Sequence, residues 1–151
     1  MEATLLERLS GITPEERRIL AGESGLDRSL YTAGQDPVFR QQRLMRREDP
    51  IQMRTHTRFV EFPLHGHNFV EMMVCVSGSI EHTLQGKRIL LRTGDLLLMD
   101  RHILHAISRA GREDIGVNFI MPDAFFEDLW PELKGTIFAD FLEENRKPQG
   151  Q

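Results

Sequence analysis

The sequence of 151 residues lacks several features that would place it in particular protein classes. It has one cysteine, Cys75, which excludes an intrachain disulfide framework and is typical of a reducing compartment such as the cytoplasm. It has no run of 18 or more apolar residues, so we expect no membrane-spanning segment. Its first residues lack a basic segment followed by an apolar one, so we expect no secretory signal peptide.

The chain also lacks an excess of positive charge. Its 23 Asp and Glu residues outnumber its 19 Lys and Arg residues, which gives a formal net charge of −4. Nucleic-acid binding normally needs a basic face, and Arg43, Arg46 and Arg47 form only a short local cluster. We therefore expect that this chain alone does not bind DNA. A hydrophobic fraction of 40% and this length suit one globular domain.

The first stretch, residues 1–35, predicts a helical arm. Leu5, Leu6 and Leu9 have helical spacing. The segment from Thr13 to Glu16 has the order of a helix start, with an N-cap residue, a proline at the first helical position and a glutamate three residues after the cap.

The middle stretch, residues 36–121, predicts an all-β barrel. Short apolar or alternating runs are separated by frequent turn signals, and many short strands of this kind are typical of a sandwich or barrel. The turn signals are Phe62-Pro63, Ser77-Gly78, Gln85-Gly86-Lys87, Thr93-Gly94-Asp95 and Ala110-Gly111-Arg112.

The last stretch, residues 122–151, predicts C-terminal helices and the start of a linker. Pro122 opens the first helix, and Pro131 should end or kink it. Its apolar stripe consists of Phe125, Phe126, Leu129 and Trp130. A second short helix is expected from the positions of Phe138, Phe141 and Leu142.

The strongest functional signal begins at His65. Side chains alternate along a strand, so His65 and His67 share a face, and Glu71 shares it if the strand stays regular. His105 follows the apolar run Leu96–Met99, and a neighbouring strand would carry it to the same place. Three imidazoles and one carboxylate suit a divalent transition metal such as Zn, Ni, Fe or Mn. A polar pocket without a metal is the alternative.

The spacing of these residues resembles the first motif of the cupin family. His65, His67, Glu71 and then Gly78 match its defining positions, and Phe59 stands where that motif has its leading glycine. The resemblance implies a small cupin barrel, that is, a double-stranded β-helix. It also implies that His65, His67 and Glu71 are metal ligands.

The second cupin motif is matched at its ends, by Gly94 and His105. Asp100 and His102 replace its central proline and glycine, and Arg109 replaces its final asparagine. These departures favour the fold over an enzyme of the strict cupin type. His102 is interpreted as a turn residue rather than a substitute ligand.

A narrower resemblance, over roughly residues 50–130, is to the sensor domain of AraC-type transcription regulators. In that family the N-terminal cupin-like domain binds a small effector and often dimerises, and a C-terminal pair of helix-turn-helix units binds DNA. The resemblance is carried by Phe69–Ile80, Gly94–Met99, His105–Ile107, Asp114–Ile120 and Phe125-Phe126.

This resemblance implies a non-enzymatic, effector-sensing and dimerisation domain. DNA would be bound only through a C-terminal helix-turn-helix region that this chain does not contain, so we expect the chain to be part of a longer regulator. The competing function is a stand-alone, metal-dependent cupin enzyme, a dioxygenase or an isomerase. No catalytic residue beyond the four ligands stands out, although His82 is a candidate.

We expect the effector pocket to be lined by Phe69, Met73, His82 and Asn118. A hydrogen-bonded histidine in the pocket wall is the favoured interpretation of His82. His56 is expected to be exposed on an edge strand. Cys75 lies in an apolar run without a basic neighbour, so we interpret it as a buried, inert thiol.

The strand after Glu71 is apolar on both faces, which predicts burial on both. The C-terminal apolar stripe or a second subunit would cover its outer face, and we expect a homodimer. The outward-facing residues are Val70, Met72, Val74 and Val76.

Overall fold

The computed structural model describes residues 4–23, 28–31, 38–39, 51–101, 103–137 and 139–140. Several predictions lie outside these ranges. They concern the Arg43, Arg46 and Arg47 cluster, His102, the second C-terminal helix with Phe138, Phe141 and Leu142, and the tail after it.

Nine strands in the described residues form two sheets, which confirms the all-β prediction. The five-stranded sheet has the order β1-β3-β8-β5-β6: Val38–Phe39, Phe62–His67, His105–Ile107, Ser79–Leu84 and Lys87–Arg92. The four-stranded sheet has the order β2-β9-β4-β7: Gln52–Thr55, Ile115–Met121, Val70–Ser77 and Leu96–Met99. Strand pairs are antiparallel except for β1 with β3, which is parallel.

The core lies between the two sheets. Inward-facing residues of both contribute to it, because side chains alternate between the two faces of each strand. On β4, Met73 and Cys75 are fully buried while their neighbours are only partly buried. The core cluster includes Phe62, Phe69, Met73, Cys75, Ile80, Leu91, Ile107 and Ile120.

Four of the five predicted turns connect strands. Gly78 (φ +65°) and Gly94 (φ +93°) have left-handed backbone conformations that favour glycine. A β-carbon at Gly78 would also collide with the Asp114 carboxylate and would lie 2.7 Å from the Glu113 carbonyl oxygen. Only glycine therefore fits this turn without strain.

The turn predicted at Phe62-Pro63 is wrong, because both residues lie inside β3. The pairing of β3 with β8 is irregular between Phe62 and His65. Proline lacks a backbone donor and is tolerated where the ladder of hydrogen bonds is interrupted.

Phe59 stands where the first cupin motif has a glycine, and it has a left-handed conformation with φ +72°. A side chain in this conformation costs about 1–2 kcal/mol. The guanidinium carbons of Arg58 and Arg112 lie 5.2 and 5.8 Å from the centre of its ring. These contacts offset part of the strain.

The predicted N-terminal arm contains α1 (Leu5–Ser10), α2 (Pro14–Leu20) and a 3-10 turn at Arg28–Leu30. Each helix begins with a capping box, Thr4 with Glu7 and Thr13 with Glu16. The predicted start of α2 is confirmed, including its proline.

A buried ion pair joins α2 to the barrel, and the sequence did not predict it. Arg58 donates from Nε to Glu16 Oε2 (2.7 Å) and from Nη2 to Glu16 Oε1 (3.0 Å), and neither side chain is exposed. The remaining guanidinium donors reach backbone carbonyls of Ser10, Gly11 and Arg112. Burial alone would raise the pKa of Glu16, but the hydrogen bonds from Arg58 hold it below its ordinary value.

A second contact attaches the same helix to the barrel through Glu15. The hydroxyls of Tyr31 and Thr57 donate to Glu15 Oε2 at 3.0 and 3.1 Å. Tyr31 lies 6% exposed in the core cluster, next to Phe62. The arm is therefore an integral part of the barrel wall.

The C-terminal helix α3 (Asp123–Leu133) covers part of the outer face of β4. Val70 and Phe126 are buried together, with Phe125, Trp130 and Leu133 packed against them. The helix continues past Pro131, so the predicted end there is wrong by two residues. Proline in a last turn removes only one backbone hydrogen bond, and the helix tolerates it.

Candidate metal centre and cavity

The histidines and the carboxylate of the first motif lie on different strands. His65 and His67 are on β3, the chain bends at Asn68 and Phe69, and Glu71 follows on β4 in the other sheet. The prediction of one regular strand is therefore wrong. The residues still approach each other, because the bend lets the chain cross from one sheet to the facing one.

His105 reaches the same place through strand pairing. It lies on β8 directly opposite His65 on β3. His67, Glu71 and His105 form a group whose potential ligand atoms all lie within 4.8 Å of one another. Glu71 Oε2 is 3.3 Å from His67 Nε2 and 3.9 Å from His105 Nε2. The tertiary structure thus brings together three of the four predicted ligands.

The fourth predicted ligand, His65, lies beside this group and outside it. Its ring centre is 4.3 Å from that of His105, and its Nδ1 is 2.7 Å from the carbonyl oxygen of Pro63. His65 is 2% exposed, so it stays in the dry interior next to the three. A different ring rotation would be needed for it to join them.

Hydrogen bonds select the tautomers of the two histidines in the group. His67 Nδ1 is 2.6 Å from the carbonyl oxygen of Phe69, which only accepts, so Nδ1 carries the proton. The Nε2 lone pair of His67 then faces Glu71. A metal-binding histidine is typically oriented in this way, by a carbonyl at its other nitrogen.

The tautomer of His105 follows from a longer chain of contacts. A thioether sulfur only accepts, so His82 Nε2 donates to Met73 Sδ (3.0 Å), which leaves His82 Nδ1 as an acceptor. His105 Nδ1, at 3.4 Å, donates to it. The buried Nε2 of His105 then offers a lone pair, and it has no hydrogen-bond partner among the described residues.

Burial sets the charges of this group. It raises the pKa of Glu71 to about 7, against the opposing charge of Arg54. Burial, together with the neighbouring imidazoles, lowers the pKa of His105. Burial also lowers the pKa of His82 to about 4. The imidazoles of His82 and His105 are therefore neutral at pH 7, and the neutral form is the one that binds a metal.

The donor set fits a divalent transition metal. Ligand atoms about 2.1 Å from a tetrahedral ion are about 3.4 Å apart. The separations of 3.3 and 3.9 Å from the Glu71 oxygen are close to this spacing. Two neutral imidazoles and one carboxylate are a common ligand set for such ions.

A cavity of about 40 Å³ lies next to this group and has room for a few water molecules. Of the predicted pocket residues, Phe69 and Asn118 line it. Met73 and His82 lie instead behind His105, where they contact each other and are fully buried. They therefore contact the candidate metal group through the His82–His105 hydrogen bond.

His56 is buried at 2% exposure and lines the cavity, so its predicted exposure is wrong. Its backbone amide donates to the Gly116 carbonyl at 2.8 Å, which holds it against β9. Burial lowers the pKa of its imidazole to about 3. Arg54 also lines the cavity, and sequence reasoning missed it. The alternation of Gln52, Arg54 and His56 was the available signal, because it indicates a polar inward face.

A family model described as the AraC-like ligand binding domain matches residues 53–146, which is more than half of the chain. The chain belongs to this family. The match contains all four predicted ligands and most of the cavity wall. No curated protein matches the sequence.

Several solved structures are similar to this AraC-like ligand-binding domain. KdgF from Halomonas sp. has 18% sequence identity and a TM-score of 0.41, over 52% of this chain and 85% of its own. A cupin 2 conserved barrel protein from Salinispora arenicola has 17% identity and a TM-score of 0.44, over 56% and 73%. The DMSP lyase DddQ from Ruegeria pomeroyi has 19% identity and a TM-score of 0.41, over 48% and 38%.

The predicted all-β fold is thus confirmed as that of an AraC-like ligand-binding domain. Within the described ranges, no helix is long and apolar enough to cross a membrane.

Proposed function

We propose that this chain is the effector-sensing and dimerisation domain of a cytoplasmic AraC-type transcription regulator. The observation that carries the proposal is the family match, whose range includes most of the wall of a barrel cavity lined by apolar and polar residues. A small molecule binds in this cavity, and DNA is bound by a helix-turn-helix region outside this chain.

The proposal includes a divalent transition metal, Zn, Ni, Fe or Mn, held by His67, Glu71 and His105, with His65 as a fourth ligand after ring rotation. The lone pairs that face Glu71 support this assignment. A bound ion supplies a Lewis-acid position for an oxygen atom of the effector. His82 and Met73 orient His105 from behind, and Phe69 and Asn118 contact the effector.

Metal analysis of chain prepared without chelator tests the metal site. We expect one transition metal ion per chain, and loss of that ion in the His67→Ala variant. Glu81→Gln serves as a control, because Glu81 lies on β5 and its side chain is 35% exposed. Equal, near-zero metal in the unmutated chain and in His67→Ala would contradict the metal part of the proposal.

Dimerisation is proposed through the outer side of α3. The helix could cover its own barrel or pack against its copy in a second subunit. Its contacts with Val70 favour the first arrangement, in which a second copy binds the remaining face of α3. Leu129 is 38% exposed on this helix and Ile137, just after it, is 80% exposed. A two-fold dimer with these residues at its centre is the expected geometry.

A fusion of this chain to a DNA-binding domain that represses only as a dimer tests this step. We expect repression by the unmutated fusion and loss of repression with Leu129→Asp. Trp130→Ala is a less specific probe, because Trp130 packs against its own barrel. A monomer at high micromolar concentration in light scattering would contradict the dimer.

The enzyme alternative uses the same ligands, but two cavity residues outside that set, Tyr31 and His56, have pKa values that do not suit acid–base catalysis at pH 7. General acid–base groups work best with a pKa near the operating pH. Among the other cavity residues, burial moves the pKa of Tyr31 well above its ordinary value and that of His56 to about 3. Turnover of a small molecule by the metal-loaded chain would reverse this preference.

A DNA-binding measurement on these 151 residues tests whether DNA binding belongs to another region of the regulator. We expect no sequence-specific binding, because the chain is acidic. A salt-dependent, sequence-specific shift would contradict the assignment of DNA binding to another region.

A further inference from the structure

Three polar residues line the part of the cavity that β2 and β9 form. Arg54 on β2 pairs directly with Asn118 on β9, and His56 follows β2 immediately. Residues 54 and 56 lie on the same face, because side chains alternate. All three line the cavity. None of them belongs to the proposed metal group.

Arg54 presents a positive charge without an acidic partner among the described residues. No described carboxylate forms an ion pair with it, although its charge lowers the pKa of Glu71. Its guanidinium carbon lies 5.4 Å from the centre of the Tyr31 ring. This stacking holds the guanidinium in place while its N–H groups stay available.

Two buried polar atoms lie beside it without hydrogen bonds. His56 Nε2 and Asn118 Oδ1 have no partner within the described part of the chain. Buried polar atoms are almost always hydrogen-bonded, so these two atoms are available to pair with a polar group that enters the cavity. The neutral imidazole of His56 offers one donor, and the Asn118 amide offers both a donor and an acceptor.

We propose that Arg54, His56 and Asn118 form a carboxylate-binding subsite, so that the effector is a small organic acid. This inference rests on the proposed sensing function and names the chemical class of its ligand. A guanidinium binds a carboxylate through two parallel hydrogen bonds, which favours an anion over a neutral ligand. Asn118 binds a second polar group, such as a hydroxyl. The cavity volume limits the ligand to a few non-hydrogen atoms.

A surface groove of about 350 Å³ lies next to this subsite. Arg54, Thr55 and Thr57 line both the groove and the cavity, so they separate the two. The groove also borders α2, at Thr13 and Glu15. An anion entering from solvent meets the Arg54 guanidinium at the boundary.

Calorimetric titration of the whole chain, after metal removal, tests the subsite without a contribution from the metal. The probes are acetate, glycolate and the neutral acetamide, at constant ionic strength. We expect saturable, millimolar binding of acetate, stronger binding of glycolate, and binding of acetamide at least tenfold weaker than that of acetate, about 1.4 kcal/mol.

The variant Arg54→Gln should weaken acetate binding at least tenfold, and Arg54→Lys should weaken it less. Arg88→Gln is the matched control, because the Arg88 side chain is 81% exposed on β6 and should not affect binding. Equal acetate affinity in the unmutated chain and a folded Arg54→Gln variant overturns the inference. If that variant does not fold, equal binding of acetate and acetamide by the unmutated chain overturns it.

The test separates this inference from the proposed function. A chain that binds acetate through Arg54 but does not dimerise in the repressor fusion contradicts the regulator function and supports the subsite. A chain that dimerises and binds a metal but binds neither acid contradicts the subsite alone.

Discussion

Glu16→Gln is expected to be the most informative single change in the N-terminal arm. Glu16 is fully buried and receives three hydrogen bonds from Arg58, two from the guanidinium and one from the backbone amide. Glutamine keeps the size but presents an NH₂ group to a guanidinium and removes the compensating charge. The Arg58 cation would then be buried without its counter-ion.

Breaking one partner of a buried ion pair costs about 3–5 kcal/mol. This is a large share of the roughly 5–15 kcal/mol by which a domain is stable. With about 2–4 °C per kcal/mol for this chain length, the melting temperature should fall by roughly 6–20 °C.

Urea denaturation and calorimetry measure this loss, and the chain provides a matched control. Glu7 occupies the same position in the capping box of α1, but it is exposed, and among the described residues its carboxylate binds only the Thr4 amide. Glutamine also functions in a capping box, so Glu7→Gln should change stability by less than about 0.5 kcal/mol. A Glu16→Gln loss no larger than the Glu7→Gln loss would refute this account of the arm.

The Glu16–Arg58 ion pair also predicts that the free energy of unfolding depends on pH. The pKa of Glu16 is lower in the folded state than its ordinary value of 4.5. The stability from its charged form is therefore present above pH 4.5 and is lost as pH falls through the folded pKa. The difference in unfolding free energy between the unmutated chain and Glu16→Gln should shrink over that acidic range.

Two further tests concern the turn at Gly78 and the support of the proposed metal site. Gly86→Ala should lower the free energy of unfolding by about 1–2 kcal/mol, because the residue has a left-handed backbone. Gly78→Ala should lower it more, because its new β-carbon also collides with Asp114 and Glu113; equal losses in urea denaturation would contradict this. His82→Leu should lower metal affinity by roughly 10–100-fold, since it removes the acceptor that orients His105. Unchanged affinity in a competition titration would mean that His82 does not orient it.

Short-range features of the sequence were sufficient to predict several elements. The start of α2 depends on Thr13, Pro14 and Glu16, whose capping contacts span three residues. The turns at Gly78 and Gly94 depend on backbone conformations that glycine adopts at little cost. The position of Phe59 was recognised only as a departure from a motif, and its left-handed conformation became visible in the structure.

The candidate metal site was only partly predictable, because its members come from three strands of two sheets. Spacing identified His67, Glu71 and His105, but it placed Glu71 on the strand of the histidines. The bend at Asn68 and Phe69 instead carries Glu71 to the facing sheet. The burial of His56 likewise depends on the hydrogen bond from its amide to β9, which alternation along one strand does not reveal.

The sequence by itself determined the strand-rich barrel, its glycine turns, the capped helices and the identity of three candidate ligands, His67, Glu71 and His105, because each depends on contacts within a few residues or on a local motif. Only the tertiary structure decided that Arg58 pairs with Glu16, that His82 supports His105 and that Arg54 lies in the cavity wall beside Asn118. The physical reason is that these contacts join residues far apart in the chain, and strand register together with the facing of the two sheets sets which of them meet.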